Sequence, residues 1–194
     1  MGRFLELIAA AGGIVLLSPV FIMIAVLVKL HDGGMVLHRA QRVGRDGKLF
    51  GVCKFRTMIP NAHKRGAGVT VRGDSRVTSA GKFLRKYKLD ELPQLFNVLK
   101  GEMSFVGPRP EDPRYVEHYT PEQRMVLAVP PGITSPASLH FRNEEALLGG
   151  HDWEKTYLEQ ILPRKLAMEL EYFPSRSIGG DFRIIIRTLG GILR

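Results

Sequence analysis

The hydropathy pattern is dominated by one uncharged apolar segment near the start of the chain. From Leu7 to Val28, 22 consecutive residues carry no charge. As an unbroken helix this segment would be about 33 Å long, enough to cross a hydrocarbon core of ~30 Å. Ser18 and Pro19 interrupt it at its middle, where a proline removes a backbone hydrogen bond and kinks the helix. Ser18 can ease this defect by donating its hydroxyl to a carbonyl one turn earlier.

Three interpretations of this segment compete. It is long for a signal peptide, and no small-residue cleavage site precedes Lys29. Basic residues flank both ends, with Arg3 on one side and Arg39 and Arg42 on the other, so the positive-inside bias favours two cytoplasmic ends. We therefore expect residues 1–30 to form a re-entrant helix, a kinked hairpin that dips into one leaflet. A kinked spanning helix is the alternative.

The polar and apolar pattern of residues 31–194 predicts an α+β domain that is mainly helical. Apolar runs on both sides of Asp46-Gly47 predict a small β-hairpin with a two-residue turn inside residues 36–58. Residues 60–75 lack periodicity and are expected to form an exposed loop. A helix is predicted over residues 79–87, with Phe83 and Leu84 facing inward.

A second helix is predicted between residues 89 and 101. Pro93 suits its first turn, and Gly101 suits its end. This arrangement places Asp90 and Glu91 at the N-terminus of the helix, where free backbone N–H groups favour anions. The stripe expected to be buried consists of Leu92, Leu95, Phe96 and Leu99.

The end of the chain is also apolar and basic. Residues 153–172 are expected to be helical, and residues 181–194 read DFRIIIRTLGGILR. Arginines spaced among isoleucine, leucine and phenylalanine are typical of an amphipathic helix at a membrane interface. A terminal helix that packs on the core is an equally open interpretation.

Charge is distributed unevenly along the chain. Residues 39–100 carry a net charge of +11, whereas the whole chain carries +9. Such a concentration indicates a surface that faces anionic lipid, nucleotide or nucleic acid. The lone cysteine, Cys53, excludes an intramolecular disulfide and is expected to be buried as a small hydrophobe.

Two features carry candidate chemistry. Asp90 and Glu91 are neighbouring carboxylates, and Gly107-Pro108-Arg109-Pro110 fixes an arginine in extended backbone between two prolines. Taken singly, each is typical of a helix cap or a surface loop. Together with a basic surface and a membrane insertion, they favour a reaction between a soluble phosphate ester and a lipid phosphate.

Three motifs make the chain resemble a known family. They are KFRTM at residues 54–58, LDELPQLFNVLKGEMSFVGPRP at residues 89–110, and PGIT at residues 131–134. The chain resembles the bacterial sugar transferases, also called monotopic phosphoglycosyl transferases, over nearly its whole length. In this family the Ser-Pro break creates a re-entrant helix. After Thr134 the sequence departs from the usual PGITG continuation, which puts the identity of the sugar in doubt.

The resemblance implies an exchange in two steps. Asp90 would attack the β-phosphate of a UDP-sugar and release UMP, and polyprenol (undecaprenyl) phosphate would then take the phosphosugar from the carboxylate. Glu91 would assist proton handling or acceptor activation. The family needs Mg²⁺, with Asp90 as an expected ligand. The residues expected to hold substrate phosphate are, in decreasing order, Arg109, Lys54, Arg56 and Arg85.

The expected partners are a UDP-sugar, polyprenol phosphate and anionic membrane lipids, with a homodimer left open. We expect a location at the cytoplasmic face of the bacterial inner membrane, with residues 31–194 as the catalytic domain. The alternatives are a non-catalytic basic binding module anchored to the membrane, and a scaffold whose carboxylates only cap a helix. No nucleic-acid motif or interleaving of aromatic and basic residues favours nucleic acid as the ligand.

Overall fold

The computed structural model describes residues 2–62, 73–148 and 152–192, which form a mainly helical chain with two small sheets. The helices are α1 Arg3–Asp32, α2 Ser79–Lys86, α3 Gln94–Lys100, α4 Pro113–Val116, α5 Pro136–His140, α6 Trp153–Thr156, α7 Leu162–Tyr172 and α8 Ile178–Ile192. The strands are β1 Leu37–Val43, β2 Leu49–Phe55, β3 Ser104–Val106 and β4 Gly132–Thr134. The α+β class and its predominance of helix are therefore confirmed. Most of the predicted loop at residues 60–75 lies outside the described residues.

The apolar segment forms one helix, α1, that continues through Pro19. The Ser18 hydroxyl donates to the Val15 carbonyl oxygen at 2.8 Å, which confirms the expected relief of the proline defect. By length and composition α1 can cross a membrane, and 11% of its most apolar window is buried. Because α1 is continuous through Pro19, the kinked hairpin stays a prediction.

One side of α1 packs against the rest of the chain along its length. Near its start, Ala10 joins a core cluster with Val98 and Met103. Near its end, Ile24 and Val28 join a cluster with Leu84. Since helical residues three and four apart share a face, these contacts leave the opposite side of α1 exposed and apolar.

Both ends of α1 are also tied to the domain by polar contacts. Arg3 donates to the main-chain oxygens of Val98 and Met103 at the end of α3. Glu6 is buried, and its carboxylate accepts a hydrogen bond from the Ser104 hydroxyl. At the other end, Asp32 pairs with Arg56, the residue that follows β2.

The predicted hairpin is present, but its turn is longer than the sequence indicated. Strands β1 and β2 are antiparallel, with Val43 opposite Leu49, and the Gly44 N–H donates to the Lys48 carbonyl oxygen at 2.8 Å. Three residues, Arg45–Gly47, therefore form the turn, so the two-residue prediction was wrong. With a two-residue turn, the pairing of β1 with β2 would shift by one residue. Side chains that now share a face of the hairpin would then lie on opposite faces.

Helix α3 is fastened to β2 by the side chain of Asn97, which is fully buried. Its Oδ1 accepts from the Cys53 N–H at 2.9 Å, and its Nδ2 donates to the Gly51 carbonyl at 2.8 Å. Nδ2 also donates to the Glu102 carboxylate at 2.6 Å. Cys53 is buried, as expected. The amide therefore satisfies backbone groups on the edge of β2 that β1 does not reach.

The predicted buried positions of α2 and α3 are confirmed only in part. Leu84 and Leu95 are buried, whereas Phe83, Phe96 and Leu99 are exposed. Phe96 instead packs edge-on against Phe21 of α1, with ring centroids 5.9 Å apart.

Strands β3 and β4 are parallel and meet at two glycines. Ser104 pairs with Gly132, and Val106 pairs with Thr134. A Cβ atom on Gly132 would lie 2.0 Å from the Gly107 nitrogen, so this approach requires glycine. The contact fixes the start of the loop that carries Arg109.

The predicted helical stretch at residues 153–172 is confirmed as α6, one turn of π-helix at Tyr157–Ile161, and α7. Tyr157, Ile161, Leu162 and Leu166 form a core with Val43 and Tyr115.

Helix α8 packs on the core along one side, as the second interpretation of the terminal segment expected, and its placement at a membrane interface stays a prediction. Asp181 and Ile184 are buried on its inner side, where Asp181 pairs with Arg176 at 2.9 Å. Its outer side exposes four large apolar residues at helical spacing: Ile178, Phe182, Ile186 and Leu189.

Candidate functional site

The two candidate carboxylates lie in a 3-10 turn, Leu89–Glu91, that follows α2. The structure therefore differs from the prediction of one helix over residues 89–101, because α3 begins only at Gln94. Pro93 precedes the first residue of α3, and Gly101 ends it in the left-handed conformation with φ 85°, as the sequence indicated. The turn leaves Asp90 buried, with 5% of its surface exposed.

Glu91 bridges two cations that come from different parts of the chain. Its Oε1 accepts a hydrogen bond from Lys54 Nζ on β2 and another from Arg109 Nη2 in the proline loop, each at 2.9 Å. Burial alone would raise the pKa of Glu91, but the charges of Arg109 and Lys54 outweigh it and hold that pKa well below its usual range. Glu91 is therefore ionised at neutral pH.

The same contacts shift the two cations in opposite directions. The charge of Glu91 raises the pKa of Arg109, whereas loss of hydration lowers the pKa of Lys54 despite the favourable charge of Glu91. Arg109 is thus permanently charged and can hold a phosphate through its planar fork, while Lys54 is a compact neighbouring charge.

Asp90 differs from its neighbour both in its hydrogen bonding and in the direction in which its pKa is shifted. Its Oδ1 is buried and has no hydrogen-bond partner among the residues that the structure describes. Burial raises the pKa of Asp90, opposed by the nearby charge of Lys54 and reinforced by that of Glu91. Arg85 and Lys88 also act to lower it. A carboxyl oxygen without a partner in such surroundings is available to bind or attack a ligand.

The remaining predicted cations are held at the edge of this group. Arg85 donates from Nε to the Thr57 hydroxyl at 2.9 Å and lies close enough to Asp90 to influence its pKa. Arg56 is paired with Asp32 at the end of α1. The structure therefore brings Lys54 and Arg109 to Glu91, places Arg85 near Asp90, and directs Arg56 to the end of α1.

Two residues of this region were not predicted as part of the site. Lys88 is exposed, adopts a left-handed backbone with φ 53°, and lowers the pKa of both Asp90 and Glu91. Asn97 holds β2, and hence Lys54, against α3. A polar residue between Phe96 and Val98 was a signal for the second, since an amide in an apolar run needs buried partners.

The divergent stretch after Thr134 reaches the site from the side of Arg109. Glu144 accepts a hydrogen bond from Lys165 at 2.7 Å and contributes to raising the pKa of Arg109. Ser135 donates to Glu169 at 2.5 Å. Arg109, Lys165 and Glu169 line one cavity of about 30 Å³, which is large enough for water but not for a sugar.

The described residues of the site offer few oxygen atoms that could bind Mg²⁺. Within residues 2–62, 73–148 and 152–192, no three His, Cys, Asp or Glu side chains gather at one point. Mg²⁺ is nevertheless commonly bound by one or two carboxylates together with substrate phosphates and water. The Oδ1 atom of Asp90, which has no hydrogen-bond partner among the described residues, could serve as one such ligand.

A buried acidic residue, with one oxygen that has no hydrogen-bond partner among the described residues, lies near the cations of β2 and of the α2 region, and this arrangement suits a ligand that carries phosphate. The domain is built along a long apolar helix. The chain belongs to the bacterial sugar transferase family, because the sequence model of that family matches residues 1–194.

Named relatives agree with this membership. The chain is 35% identical over 194 residues to the UDP-glucose:undecaprenyl-phosphate glucose-1-phosphate transferase of Caulobacter vibrioides, which covers 98% of this chain and 69% of the relative. The Escherichia coli protein of the same name is 37% identical over 187 residues, or 95% of this chain and 38% of the relative. A UDP-N-acetylgalactosamine-undecaprenyl-phosphate N-acetylgalactosaminephosphotransferase of Aeromonas hydrophila is 42% identical over 140 residues, or 71% of this chain and 33% of the relative. The chain thus spans between one third and about two thirds of these relatives.

Proposed function

We propose that this protein transfers a sugar 1-phosphate from a UDP-sugar to polyprenol (undecaprenyl) phosphate and releases UMP. The observation that carries the proposal is the buried Asp90 carboxyl, whose Oδ1 has no hydrogen-bond partner among the described residues and which lies near the charges of Lys54, Arg85 and Lys88. Names of relatives that use undecaprenyl phosphate as the acceptor support it.

The chemistry consists of two displacements at phosphorus. An Asp90 oxygen forms a bond to the β-phosphorus of the UDP-sugar, the bond from that phosphorus to the bridging oxygen breaks, and UMP leaves. An oxygen of polyprenol phosphate then attacks the phosphosugar on Asp90, which frees the carboxylate and yields the polyprenyl diphosphosugar. A covalent intermediate divides one difficult transfer into two easier ones.

The neighbours of Asp90 explain how an acid can approach a diphosphate. Arg109 and Lys54 offset the negative charge of the donor, and Glu91 holds both cations in place through one oxygen. Glu91 is already ionised, and its Oε1 accepts a hydrogen bond from each of the two cations. Its role is therefore to position these cations rather than to supply a proton. Mg²⁺, held by Asp90 and the substrate phosphates, would supply further positive charge.

The contacts of α1 support the re-entrant topology. Arg3 and Glu6 at one end, and Asp32 at the other, bond to the same domain. A spanning helix would place its two ends on opposite sides of a core about 30 Å thick. We therefore propose that α1 enters and leaves through the cytoplasmic face of the inner membrane. The exposed apolar side of α8 would lie in the interface beside anionic lipid.

The direct test measures UMP from a panel of UDP-sugars, with Mg²⁺ and polyprenol phosphate. We expect UMP with at least one sugar, and loss of at least 1,000-fold in rate for Asp90→Asn, because an amide is a poor nucleophile. Asp74→Asn, which removes a carboxylate from a separate ion pair with Arg76, is the matched control. No UMP from any donor, or full activity of Asp90→Asn, would overturn the proposal.

Topology is tested by labelling single cysteines from each side of the membrane. The native Cys53 is buried, so its background labelling should be low. We expect cysteines introduced at Gly2 and Gly34 to react from the cytoplasmic side only. Periplasmic labelling at either position would contradict re-entry.

A further inference from the structure

Helix α2 carries an aromatic and basic surface directly before the catalytic turn. Phe83 is 53% exposed and Tyr87 is 36% exposed, and their ring centroids are 5.1 Å apart. Lys86 Nζ lies 5.3 Å from the centre of the Tyr87 ring. We call Phe83, Lys86, Tyr87 and Lys88 the α2 ledge.

The α2 ledge lies beside the second half of α1. Leu84, between the two rings in sequence, is fully buried in a cluster with Ile24 and Val28. The other side of this part of α1 exposes apolar residues, among them Met23 and Leu27. The α2 helix and the turn that carries Asp90 therefore lie against the same part of α1 that exposes this apolar surface.

Lys88 stands out among the cations of the site because its side chain makes no hydrogen bond or ion pair within the described residues. Lys54 and Arg109 are bonded to Glu91, and Arg85 is bonded to Thr57. Lys88 is also exposed, two residues before Asp90. Its ammonium can therefore bind an incoming anion without first breaking a hydrogen bond or ion pair with any described residue.

The backbone of Lys88 adopts a conformation that is unfavourable for lysine. Its φ of 53° and ψ of 19° lie in the left-handed region, which asparagine and glycine adopt at lower cost. Strained residues of this kind persist where the surrounding structure holds them, and they are concentrated at functional sites. Here the Lys88 carbonyl accepts from the Glu91 N–H at 3.1 Å, so the same strain shapes the catalytic turn.

We propose that the α2 ledge binds the long-chain isoprenoid phosphate, with its phosphate on the Lys88 ammonium and its first isoprene units on the Phe83 and Tyr87 rings. This inference rests on the proposed function and names the acceptor subsite of the same reaction. Aromatic rings that present an apolar body beside a polar group suit the boundary between lipid and water. The positive charges of Lys86 and Lys88 complement the negative charge of the phosphate.

The test separates the two halves of the reaction. Lys88→Asn removes the charge but suits the left-handed backbone, so the variant should fold. We expect its KM for polyprenol phosphate to rise about tenfold, or about 1.4 kcal/mol. The burst of UMP without acceptor reports only on the donor half. Because the charge of Lys88 also lowers the pKa of Asp90, the burst is compared at a pH high enough to ionise Asp90 in both proteins, where it should stay within twofold of wild type. Lys88→Arg should recover most of the affinity.

Matched controls separate the subsite from overall charge and from folding. Lys48→Asn removes one exposed positive charge at the hairpin turn and should leave both halves unchanged. Phe83→Ser should raise the KM for the acceptor but not that for the donor. A slower UMP burst in Lys88→Asn would assign Lys88 to the donor, and an unchanged acceptor KM would leave it without a substrate. Either result overturns the proposal.

A binding measurement distinguishes this proposal from the function on which it rests. Polyprenol phosphate in micelles should raise the melting temperature of wild type more than that of Lys88→Asn, and phosphate-free polyprenol should not discriminate between them. Equal shifts of the two proteins with polyprenol phosphate would overturn the subsite even if UMP is released. An equal effect from phosphatidylglycerol would also overturn it, since it would show a general headgroup site. Absence of UMP in wild type would instead count against the proposed function.

Discussion

The Asn97 amide is expected to be a principal support of the catalytic arrangement, and Asn97→Leu tests this. Leucine has a similar volume, so the change removes hydrogen bonds without opening a large cavity. It leaves the Cys53 N–H and the Gly51 carbonyl without their partner and removes the bond to Glu102. Each orphaned buried group costs about 1–3 kcal/mol.

The expected loss in the free energy of unfolding is therefore about 3–5 kcal/mol, a large part of the 5–15 kcal/mol typical of a domain. For a chain of this size, 1 kcal/mol shifts the melting temperature by about 2–4 °C, so we expect a fall of about 6–20 °C. Because Cys53 precedes Lys54 in β2, the freed strand should also weaken the contact of Lys54 with Glu91. UMP release should fall with stability.

The assay is thermal unfolding in detergent, followed by circular dichroism, with Asn143→Leu as the control. Asn143 is exposed and makes no side-chain cap, so its substitution should change stability by less than about 0.5 kcal/mol. If Asn97→Leu melts within 2 °C of wild type, the three hydrogen bonds do not stabilise the fold and the reasoning is refuted.

Three further predictions follow from the ionisable groups. The raised pKa of Asp90 means that its ionisation opposes folding, so stability should fall as pH rises above the usual carboxyl pKa of 3.8. Asp90→Asn should therefore melt higher than wild type at pH 7 without substrate, and a lower melting temperature would contradict this. The lowered pKa of Glu91 gives the opposite sign: its contribution is present above the usual pKa of 4.5 and is lost as pH falls through the lowered value. Glu91→Gln should accordingly lower the melting temperature at pH 7 and raise the KM for the UDP-sugar, whereas an effect on the acceptor KM alone would argue against cation positioning. Burial raises the pKa of Glu169 to about 7, so stability should decline between about pH 4.5 and 7, and this decline should be smaller in Glu169→Gln melts recorded over that range.

Local sequence patterns were sufficient to predict the helices and strands discussed here, but they did not correctly predict which side chains of each helix are buried. The apolar run, the hairpin and the α3 end at Gly101 are each determined by neighbouring residues, and each was predictable. Phe83 and Phe96 were expected to be buried because periodicity treats every large apolar residue as facing a protein core. Both are exposed here, although one edge of Phe96 packs against Phe21 on the side of α1 that faces the domain. A hydropathy pattern marks a residue as apolar but does not show whether the protein itself covers it.

The site shows the same division between local and distant information. The pairing of Asp90 with Glu91 and the rigid loop of Arg109 are visible in short motifs. One oxygen of Glu91 accepts hydrogen bonds from two cations. This contact depends on tertiary structure, because Lys54 in β2 and Arg109 in the proline loop lie 37 and 18 residues from Glu91 in the sequence. The left-handed backbone of Lys88 was likewise hidden, since lysine gives no sign of positive φ.

The polar tie of Glu6 has a consequence for the order in which the chain is made. Its partner Ser104 lies 98 residues later, and Arg176, 3.9 Å from the same carboxylate, emerges later still. In the topology proposed above, the apolar helix therefore reaches the membrane while Arg3 is the one partner of Glu6, among the described residues, that has already been made. We expect the nascent helix to be held weakly by the membrane until these downstream residues emerge from the ribosome. Ribosome-bound chains that end before Ser104 should be extracted from membranes more readily than chains that extend beyond Arg176.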